Sequence, residues 1–312
     1  MRIVFIGTPD FAVPALEQLV LNGYDVVAVY TQPDRVAGRG QALAVSPVKR
    51  VAVQWGLSVV QPDSLKLLEV VKQLTDFRPD VIVVSAYGQI LPESVLAIPP
   101  HGVVNIHPSL LPEFRGASPV ASTILSGDEF AGVSIMLLDK GMDTGPVLAR
   151  AQISISPQDT TGSLTDKLAG VGAQLLLEVL PRWMKGEISP QPQDEAQATF
   201  TRRFDKGDGE IDWTLPAVEL GWWVRALSPW PGCYTRWQGK QLKIIEAVPF
   251  TAEEKVDIGR VVAPGKGEVA FVVGTGVGVL GILQVQLEGK KVMTAAEFLR
   301  GQKDFAGTVL PS

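Results

Sequence analysis

Two polar side chains at the end of a predicted strand are the residues of this chain best suited to chemistry. Residues 103–108 read VVNIHP, so Asn105 and His107 follow a β-branched apolar run and precede a proline. Because alternate residues of a strand share a face, we expect both side chains to project together at its carboxyl end. An imidazole exchanges protons near neutral pH, and a carboxamide can donate to a developing oxyanion. The alternative is an Asn and a His that pack at a strand end with satisfied hydrogen bonds.

A carboxylate farther along the chain is the third candidate. Residues 132–139 read GVSIMLLD, which predicts a buried strand, and the loop that follows carries Asp143. A carboxylate beside an imidazole orients the ring and stabilises its charged form. Between the two strands lies the irregular stretch 109–116, SLLPEFRG, which ends in a glycine. The three segments together predict one site at the rim of a sheet.

These three blocks, in this order, resemble the N10-formyltetrahydrofolate-dependent formyltransferases. The shared features are an Asn-x-His strand end, a Ser-Leu-Leu-Pro loop and an aspartate in an Asp-x-Gly-x-Asp-Thr-Gly loop. Further segments look like the members of the family that formylate methionyl-tRNA, and together they cover nearly the whole chain: residues 7–11, 31–35, 38–40, 86–88, 211–213 and 229–232. The resemblance implies that Asn105, His107 and Asp143 are the catalytic residues.

The resemblance also implies a folate co-substrate, 10-formyltetrahydrofolate, and no metal. Its pterin is expected among the loops at the carboxyl ends of the strands, which is where open α/β sheets bind ligands. The residues predicted to bind folate are Tyr87, Gly88, Ile90, Ser109, Leu110, Leu111 and Pro112. The alternative for the segment after Tyr87 is an ordinary loop between a strand and a helix.

The amine that receives the formyl group is the harder question. The resemblance implies the amino group of initiator methionyl-tRNA, and hence a role in translation initiation. The alternative is a small amine such as glycinamide ribonucleotide or an amino-sugar nucleotide, since enzymes for these, and a deformylating hydrolase, carry the same three residues. An appended β-rich domain and a basic segment, residues 32–50, favour tRNA.

The basic segment has four cations against one aspartate, Asp34, a local net charge of +3. The residues predicted to contact tRNA are Arg35, Arg39, Lys49 and Arg50. The resemblance implies that this loop enters the acceptor stem, with Arg39 central. Lysine is common in the family where this chain has Gln41 and Ala42, which predicts weaker phosphate contacts here. A solvated basic loop is the alternative.

The order of predicted elements indicates an α/β fold: a doubly wound, Rossmann-like parallel sheet followed by a smaller, OB-like β-barrel. We expect a catalytic domain at residues 1–187, an extended linker at 188–206 and a tRNA-binding β-barrel domain at 207–312. Strands are predicted at residues 3–6, 26–30, 57–60, 80–85, 103–106, 133–138, 241–246, 259–262, 269–273 and 281–287. Helices are predicted after Asp10 as a cap, from Ser46–Pro47, and at residues 164–185 and 215–226. Another helical pattern follows Ser64 and places Leu65, Leu68, Val71 and Leu74 on one face.

One glycine motif resembles a dinucleotide-binding site but lacks the strand-to-helix turn that such a site needs. Residues 276–281, GVGVLG, fit the dinucleotide fingerprint G-x-G-x-x-G, which binds a pyrophosphate only where a strand turns into a helix. The residues that follow alternate as a strand does, and the first predicted βα turn, after Gly7, lacks the second glycine. A nucleotide-dependent oxidoreductase is therefore disfavoured. A non-catalytic RNA-binding module would leave the Asn105, His107 and Asp143 set unexplained.

Composition places the chain among ordinary globular proteins. Its 312 residues are 46% hydrophobic, with a net charge of −5 and one cysteine, Cys233. A single cysteine excludes an intramolecular disulfide and suits a reducing cytoplasm. No apolar run reaches the roughly twenty residues that a membrane span needs, and the start of the chain predicts no secretory signal. We expect a monomer, since no heptad seam is visible.

Overall fold

The structure is a computed structural model that describes residues 1–37, 42–251, 256–263 and 269–312; the side chains of residues 36, 37, 42 and 43 are not described. The chain divides into two compact units. The first comprises Met1–Pro119, Phe130–Ser154 and Leu164–Thr201. The second comprises Val120–Glu129, Ile155–Ser163 and Arg202–Ser312. The predicted division at residues 187 and 206 stays a prediction.

The first unit is built on one open sheet. Its strands, with two short two-stranded additions, are β1 (Arg2–Gly7), β2 (Asp25–Tyr30), β3 (Arg35–Ala37), β4 (Ala42–Ala44), β5 (Val59–Val60), β6 (Val81–Ser85), β7 (Val103–His107), β8 (Arg115–Gly116), β9 (Phe130–Leu137), β10 (Val147–Ser154) and β11 (Phe200–Thr201). The main sheet has the order β10-β9-β7-β6-β1-β2-β5. From β5 to β7 the neighbours are parallel, whereas β9 and β10 run antiparallel at one edge. The predicted Rossmann-like fold is confirmed.

The helices up to residue 184 are α1 (Val13–Leu21), α2 (Pro47–Gln54), α3 (Leu68–Asp76), α4 (Glu93–Leu96), α5 (Pro119–Leu125) and α6 (Thr161–Met184). All of them except α5 lie wholly or mainly in the first unit. Helix α2 begins at Pro47 as predicted, and the Ser46 side chain caps it by accepting the backbone N–H of Lys49. The predicted cap at Asp10 is wrong: a short 3-10 turn, Asp10–Ala12, precedes α1, and no side chain caps either element.

The predicted start and apolar face of α3 are corrected in part. Leu65 and Leu74 are buried as expected, but Leu68 is 84% exposed. The helix begins at Leu68, later than the pattern after Ser64 indicates, and it buries Val70 and Leu74. Leu65 is buried from a turn that precedes the helix. Its apolar side chain therefore extends the helical spacing seen in the sequence, although the residue itself is not helical.

Part of the segment predicted as a linker is bound to the first unit. Gln191 forms an antiparallel bridge with Val147, and β11 pairs with β8 in parallel. A 3-10 turn, Glu195–Gln197, lies between these two pairings. The segment has little apolar periodicity because it is extended and is held to the first unit by backbone hydrogen bonds.

The second unit is built on a curled antiparallel sheet, which confirms the predicted barrel-like fold, and it includes most of α5. Its elements are α7 (Ala217–Ala226), β12 (Cys233–Trp237), β13 (Lys240–Phe250), β14 (Val261–Val262), β15 (Phe271–Gly274), β16 (Val279–Leu287), β17 (Met293–Thr294) and α8 (Ala295–Gly301). The strand order is β12-β13-β16-β15-β14, and β17 pairs with β16. Edge-to-face aromatic contacts fill its core, with Phe305 packed against Trp237, Phe271 and Phe298.

Glycines mark two turns of this unit. Gln238 and Gly239 both have positive φ, +49° and +71°, which is the geometry of the tight hairpin that joins β12 to β13. The glycines of residues 276–281 lead into strand β16, so they do not form a dinucleotide-binding turn. Among the helices of the described ranges, none has both the length and the apolar content needed to cross a membrane.

Candidate active site

Asn105 and His107 lie on β7, which is buried along its whole length between β6 and β9. The register pairs Asn105 with Val84 of β6. Between the two polar residues, Ile106 packs toward α6, where a Cβ on Gly172 would lie 2.7 Å from the Ile106 side chain. By the pleat of the strand, Asn105 and His107 share the opposite face.

The imidazole of His107 lies between a carbonyl oxygen and a carboxylate. Its Nε2 is 3.3 Å from the carbonyl oxygen of Phe114. Since a carbonyl oxygen only accepts hydrogen bonds, Nε2 carries the proton of the neutral ring. Its Nδ1 is 3.7 Å from Oδ1 of Asp143, a distance too long for a hydrogen bond. The basic nitrogen of the ring therefore faces the carboxylate.

Burial decides the charge of His107. The residue is 4% exposed, and this burial lowers the pKa of His107, while the charge of Asp143 and the contact with Phe114 raise it by less. The ring is therefore neutral at pH 7 and ready to accept a proton. When it does, the imidazolium gains an ion pair with Asp143 in a poorly solvated site.

Asp143 is held in place by the backbone around it. Its Oδ2 accepts the N–H of Gly116 at 2.9 Å, which leaves Oδ1 facing His107. Asp143 has φ +54°, in the left-handed region that residues other than glycine seldom adopt. Gln193 donates from Nε2 to the Asp143 carbonyl oxygen at 2.8 Å.

The carboxamide of Asn105 is free for a ligand. The residue is 8% exposed, and no residue in the described part of the chain forms a hydrogen bond with its side chain. Its side-chain nitrogen and oxygen are not among the fully buried polar atoms that lack a partner, so the amide reaches the accessible surface and can donate to an incoming oxygen. The pair therefore offers one donor and one base on the same face.

We expect the pH dependence of catalysis to follow His107. Because the pKa of His107 is lowered, the neutral base persists as the pH falls, and kcat/KM declines only below about 6.5, the ordinary histidine value. Asp143→Asn removes a charge that raises the pKa of His107, so this acid limb should move to still lower pH. A pH–rate profile of both proteins checks this. An acid limb that moves upward in the variant would contradict it.

Protein stability should respond to the same group. The unfolded chain takes up a proton on His107 near pH 6.5, whereas the folded chain does so only at lower pH. The contribution of His107 to the free energy of unfolding is therefore fully present above about pH 6.5 and falls as the pH falls below it.

The loop after β7 is shaped from within by the residues predicted to bind folate. The Ser109 carbonyl oxygen accepts the hydroxyl of Ser134 at 2.7 Å. Leu111 is buried, and its peptide bond to the half-buried Pro112 is cis. Leu110 packs on β9, where a Cβ on Gly132 would lie 2.3 Å from it. Most backbone groups of residues 109–112 are hydrogen-bonded within the protein, so the half-buried side chains of Leu110 and Pro112 are what this loop leaves accessible to a ligand.

The segment after β6 combines a buried and an exposed part. Tyr87 is 3% exposed and packs in the core with Leu91; burial raises the pKa of Tyr87 to about 12, so the phenol stays protonated. Gly88 adopts φ +84°, and Ile90 is 76% exposed. Of the three predicted folate contacts here, Gly88 and Ile90 are accessible, whereas Tyr87 is buried and its carbonyl oxygen accepts from the side chains of Thr8 and Gln32.

The basic segment is only partly described. Arg39 lies outside the described residues, so its predicted role stays a prediction. Lys49 forms an ion pair with Asp34. Arg50 lies 4.0 Å from a carboxylate of a neighbouring turn, and Arg35 is exposed with a 3.4 Å contact to a glutamine. The local excess of positive charge is therefore smaller than a simple count of cations suggests.

Sequence reasoning missed two residues beside the site, Arg115 and Gln193. Arg115 is fully buried, and it donates to Gln193, which in turn holds the Asp143 loop. Neither position carries a periodic signal, because Gln193 lies in the glutamine- and proline-rich segment expected to be a linker. The one signal in the sequence is that Arg115 lies in a short irregular stretch between a proline and a glycine, close to the predicted site.

Two family models match this chain. The model described as formyl transferase matches residues 1–180. The model described as formyl transferase, C-terminal domain, matches residues 203–303. Together they include every residue predicted for the site and most of the second unit.

Curated relatives match over almost their full length. A methionyl-tRNA formyltransferase of Dehalococcoides mccartyi (strain ATCC BAA-2266 / KCTC 15142 / 195) is 50% identical over 314 residues, covering 99% of this chain and 98% of the relative. A methionyl-tRNA formyltransferase of Chloroflexus aggregans is 48% identical over 302 residues, covering 96% of this chain and 97% of the relative.

Solved structures share the fold at lower identity. HypX from Aquifex aeolicus, in complex with tetrahydrofolic acid, is 18% identical with a TM-score of 0.66; the match covers 98% of this chain but spans 48% of HypX. WlaRD, a sugar 3N-formyl transferase in the presence of dTDP and 5-N-formyl-THF, is also 18% identical with a TM-score of 0.66, covering 93% of this chain and 99% of that protein. At this identity the likeness concerns the fold alone.

Proposed function

This chain belongs to the formyl transferase family, and from that premise we propose that it transfers a formyl group from 10-formyltetrahydrofolate to the amino group of initiator methionyl-tRNA. The observation that carries the proposal is the 50% identity, over both units, to a methionyl-tRNA formyltransferase. The candidate site supplies what such a reaction requires. The small-amine alternative is not favoured, because the relatives that share the whole chain act on methionyl-tRNA by name.

The residues of the site fit a formyl donor. The buried carboxamide of Asn105 without a protein partner suits the formyl oxygen, which only accepts hydrogen bonds. The half-buried Leu110 and Pro112 after β7 and the exposed Ile90 offer apolar contacts to a pterin. When bound, 10-formyltetrahydrofolate supplies the formyl carbon and a leaving nitrogen. We propose Gly88, Ile90 and residues 109–112 as its contacts.

Each catalytic side chain has a defined role in this mechanism. His107 accepts, at Nδ1, the proton that the attacking amine gives up as its nitrogen bonds to the formyl carbon. Asn105 donates to the formyl oxygen while that oxygen carries negative charge. Asp143 stabilises the imidazolium through the 3.7 Å approach of Oδ1 to Nδ1. His107 then returns the proton to the leaving nitrogen as its bond to the formyl carbon breaks.

The acceptor assignment is tested by direct competition. The purified chain is incubated with 10-formyltetrahydrofolate and, in separate reactions, with methionyl-tRNA, glycinamide ribonucleotide or an amino-sugar nucleotide. We expect formylation of methionyl-tRNA with a kcat/KM far above the other acceptors. Preferential formylation of either small amine would overturn the assignment, and release of formate without any acceptor would indicate the hydrolase.

The basic segment should make tRNA binding sensitive to salt. Removing one bond between a cation and a phosphate reduces the slope of log K against log salt concentration by about 1. We therefore expect Arg39→Gln and Arg35→Gln each to weaken methionyl-tRNA binding and lower this slope, as measured by filter binding over a salt series. Lys72→Gln, which neutralises an exposed lysine on α3, serves as the matched control. Unchanged slopes in both arginine variants would refute the role of the segment.

The remaining assignments follow from the substrate. An enzyme that acts on charged tRNA works where translation takes place, so we propose the cytoplasm as its location. The expectation of a monomer stays a prediction.

A further inference from the structure

The loop that carries Asp143 needs to be held against β7. Strand β9 ends at Leu137, and the register places Leu137 beside Val104, three residues before His107. The loop must therefore run back along β7 before Asp143 reaches the imidazole. Asp143 also adopts φ +54°, which an aspartate seldom does without support. Contacts from outside the loop are needed to fix this conformation.

Gln193 supplies such contacts through both ends of its amide. Its Nε2 donates to the carbonyl oxygens of Asp143 at 2.8 Å and Gly145 at 2.7 Å. Its Oε1 accepts from Nε of Arg115 at 3.0 Å and from Nη2 at 2.9 Å. Because carbonyl oxygens only accept and a guanidinium only donates, the orientation of the amide is fixed. Both carbonyls flank the turn that aims the carboxylate.

Arg115 anchors Gln193 rigidly. The side chain is fully buried, and Glu195 accepts from it in a bidentate pair at 2.8 and 2.9 Å. The Phe200 ring lies 5.8 Å from the guanidinium carbon. A buried arginine is found where its charge is paired, and a fork of this kind holds its partners in one plane. The anchor therefore has little freedom to move.

Residues 193–201 also position Gly116, whose backbone N–H binds the Asp143 carboxylate. Strands β8 and β11 pair Gly116 with Thr201, and the Gly116 N–H donates to the Asp143 carboxylate at 2.9 Å. Gly116 has φ +111°, and a Cβ there would lie 2.8 Å from the Thr201 carbonyl oxygen. Residues 193–201 thus hold both the backbone and the carboxylate of Asp143.

We propose that Gln193, fixed by Arg115, is a positioning residue that holds Asp143 at His107 for formyl transfer. It touches neither reacting group and acts through the Asp143 loop. This inference rests on the proposed function for its kinetic readout, but the position of Asp143 can also be followed through His107 in the free protein. The segment between the two family matches thereby becomes part of the active site.

The test replaces Gln193 by Met, which has similar length but cannot make the four hydrogen bonds. We expect kcat for methionyl-tRNA formylation to fall by up to about 10²-fold, the cost of a misplaced catalytic group, with the KM for folate little changed. The His107 titration, followed by NMR, should move to lower pH, since Asp143 is the charged group that faces His107 and raises its pKa. The chain has only two histidines, so His101 gives an internal reference.

Gln191→Met is the matched control. Gln191 lies in the same segment, but within the described residues its side chain donates only to the nearby Ser189 carbonyl oxygen, so kcat and the His107 titration should stay at wild-type values. In an Asp143→Asn background, Gln193→Met should change neither further, because both changes act on one element. Wild-type kcat, or an unshifted His107, in Gln193→Met would overturn the inference; failure of the wild type to formylate would instead overturn the proposed function.

A second variant guards against loss of the fold. If Gln193→Met melts below the assay temperature, Gln193→Glu takes its place, since it keeps both acceptor contacts with Arg115 and removes the donors to Asp143 and Gly145. The carboxylate of this variant adds a negative charge near the site and would itself shift the His107 titration, so only kcat is compared for Gln193→Glu. The same fall in kcat is expected, and a wild-type value would count against the positioning role.

Discussion

His107→Ala should lower the rate of formyl transfer by about 10²- to 10⁴-fold, the usual contribution of a general acid–base residue. The imidazole lies between Phe114 and Asp143, is neutral at pH 7 and has its basic Nδ1 toward the carboxylate. Without it, the described site has no neutral base to accept the proton of the attacking amine. Single-turnover formylation of methionyl-tRNA measures the change, and equilibrium binding of folate should be retained.

His101→Ala is the control for that variant. His101 is half-buried at the start of the segment before β7, and its backbone carbonyl oxygen accepts Nε1 of Trp183 at 2.9 Å, a contact that alanine keeps. We expect its rate to match the wild type. A His107 variant with near-normal turnover would remove the imidazole from the mechanism, whatever the family.

Asn105→Leu should cost about 10²- to 10³-fold in rate, the value of one oxyanion donor. Leucine matches the shape of asparagine but donates no hydrogen bond. The effect should lie in kcat more than in the KM for folate, because the oxygen gains negative charge only as the reaction proceeds. Asn105→Asp should be at least as slow, since a carboxylate would face the developing negative charge.

Asn22→Leu tests whether any asparagine change disturbs the protein. Asn22 lies at the exposed end of α1, where its amide donates to the Gln18 carbonyl oxygen at 2.8 Å. Its rate should be that of the wild type. If Asn105→Leu binds folate weakly but turns over normally once saturated, then Asn105 serves ground-state binding and the oxyanion assignment is wrong.

The sequence alone predicts the parts of the site whose residues repeat with the regular spacing of a strand or a helix. Alternation along residues 103–107 places Asn105 and His107 on one face, because a buried central strand has few other ways to arrange its side chains. The apolar strands of both units, the α7 helix and the hairpin at Gln238 and Gly239 are predictable for the same reason. Each has a local pattern that its tertiary neighbours reinforce.

Other features cannot be read from local patterns. Strand β10 carries Arg150 and Gln152 among alanines, and as an edge strand it needs less apolar content than the central strands. The Arg115 and Gln193 contact joins residues 78 positions apart, in segments without periodicity. Asp143 reaches His107 by a loop that doubles back, which strand order alone does not predict. These contacts depend on tertiary packing.

The coupling between His107 and Asp143 decides whether the site works as one catalytic centre. If Asp143 acts through the imidazole, then removing the carboxylate matters only while His107 is present. The measurement is the single-turnover rate of methionyl-tRNA formylation for His107→Ala, Asp143→Ala and the double variant. We predict that the double variant is no slower than His107→Ala. A double variant slowed by the product of the two single effects would show that the residues act independently, and would contradict a single catalytic centre.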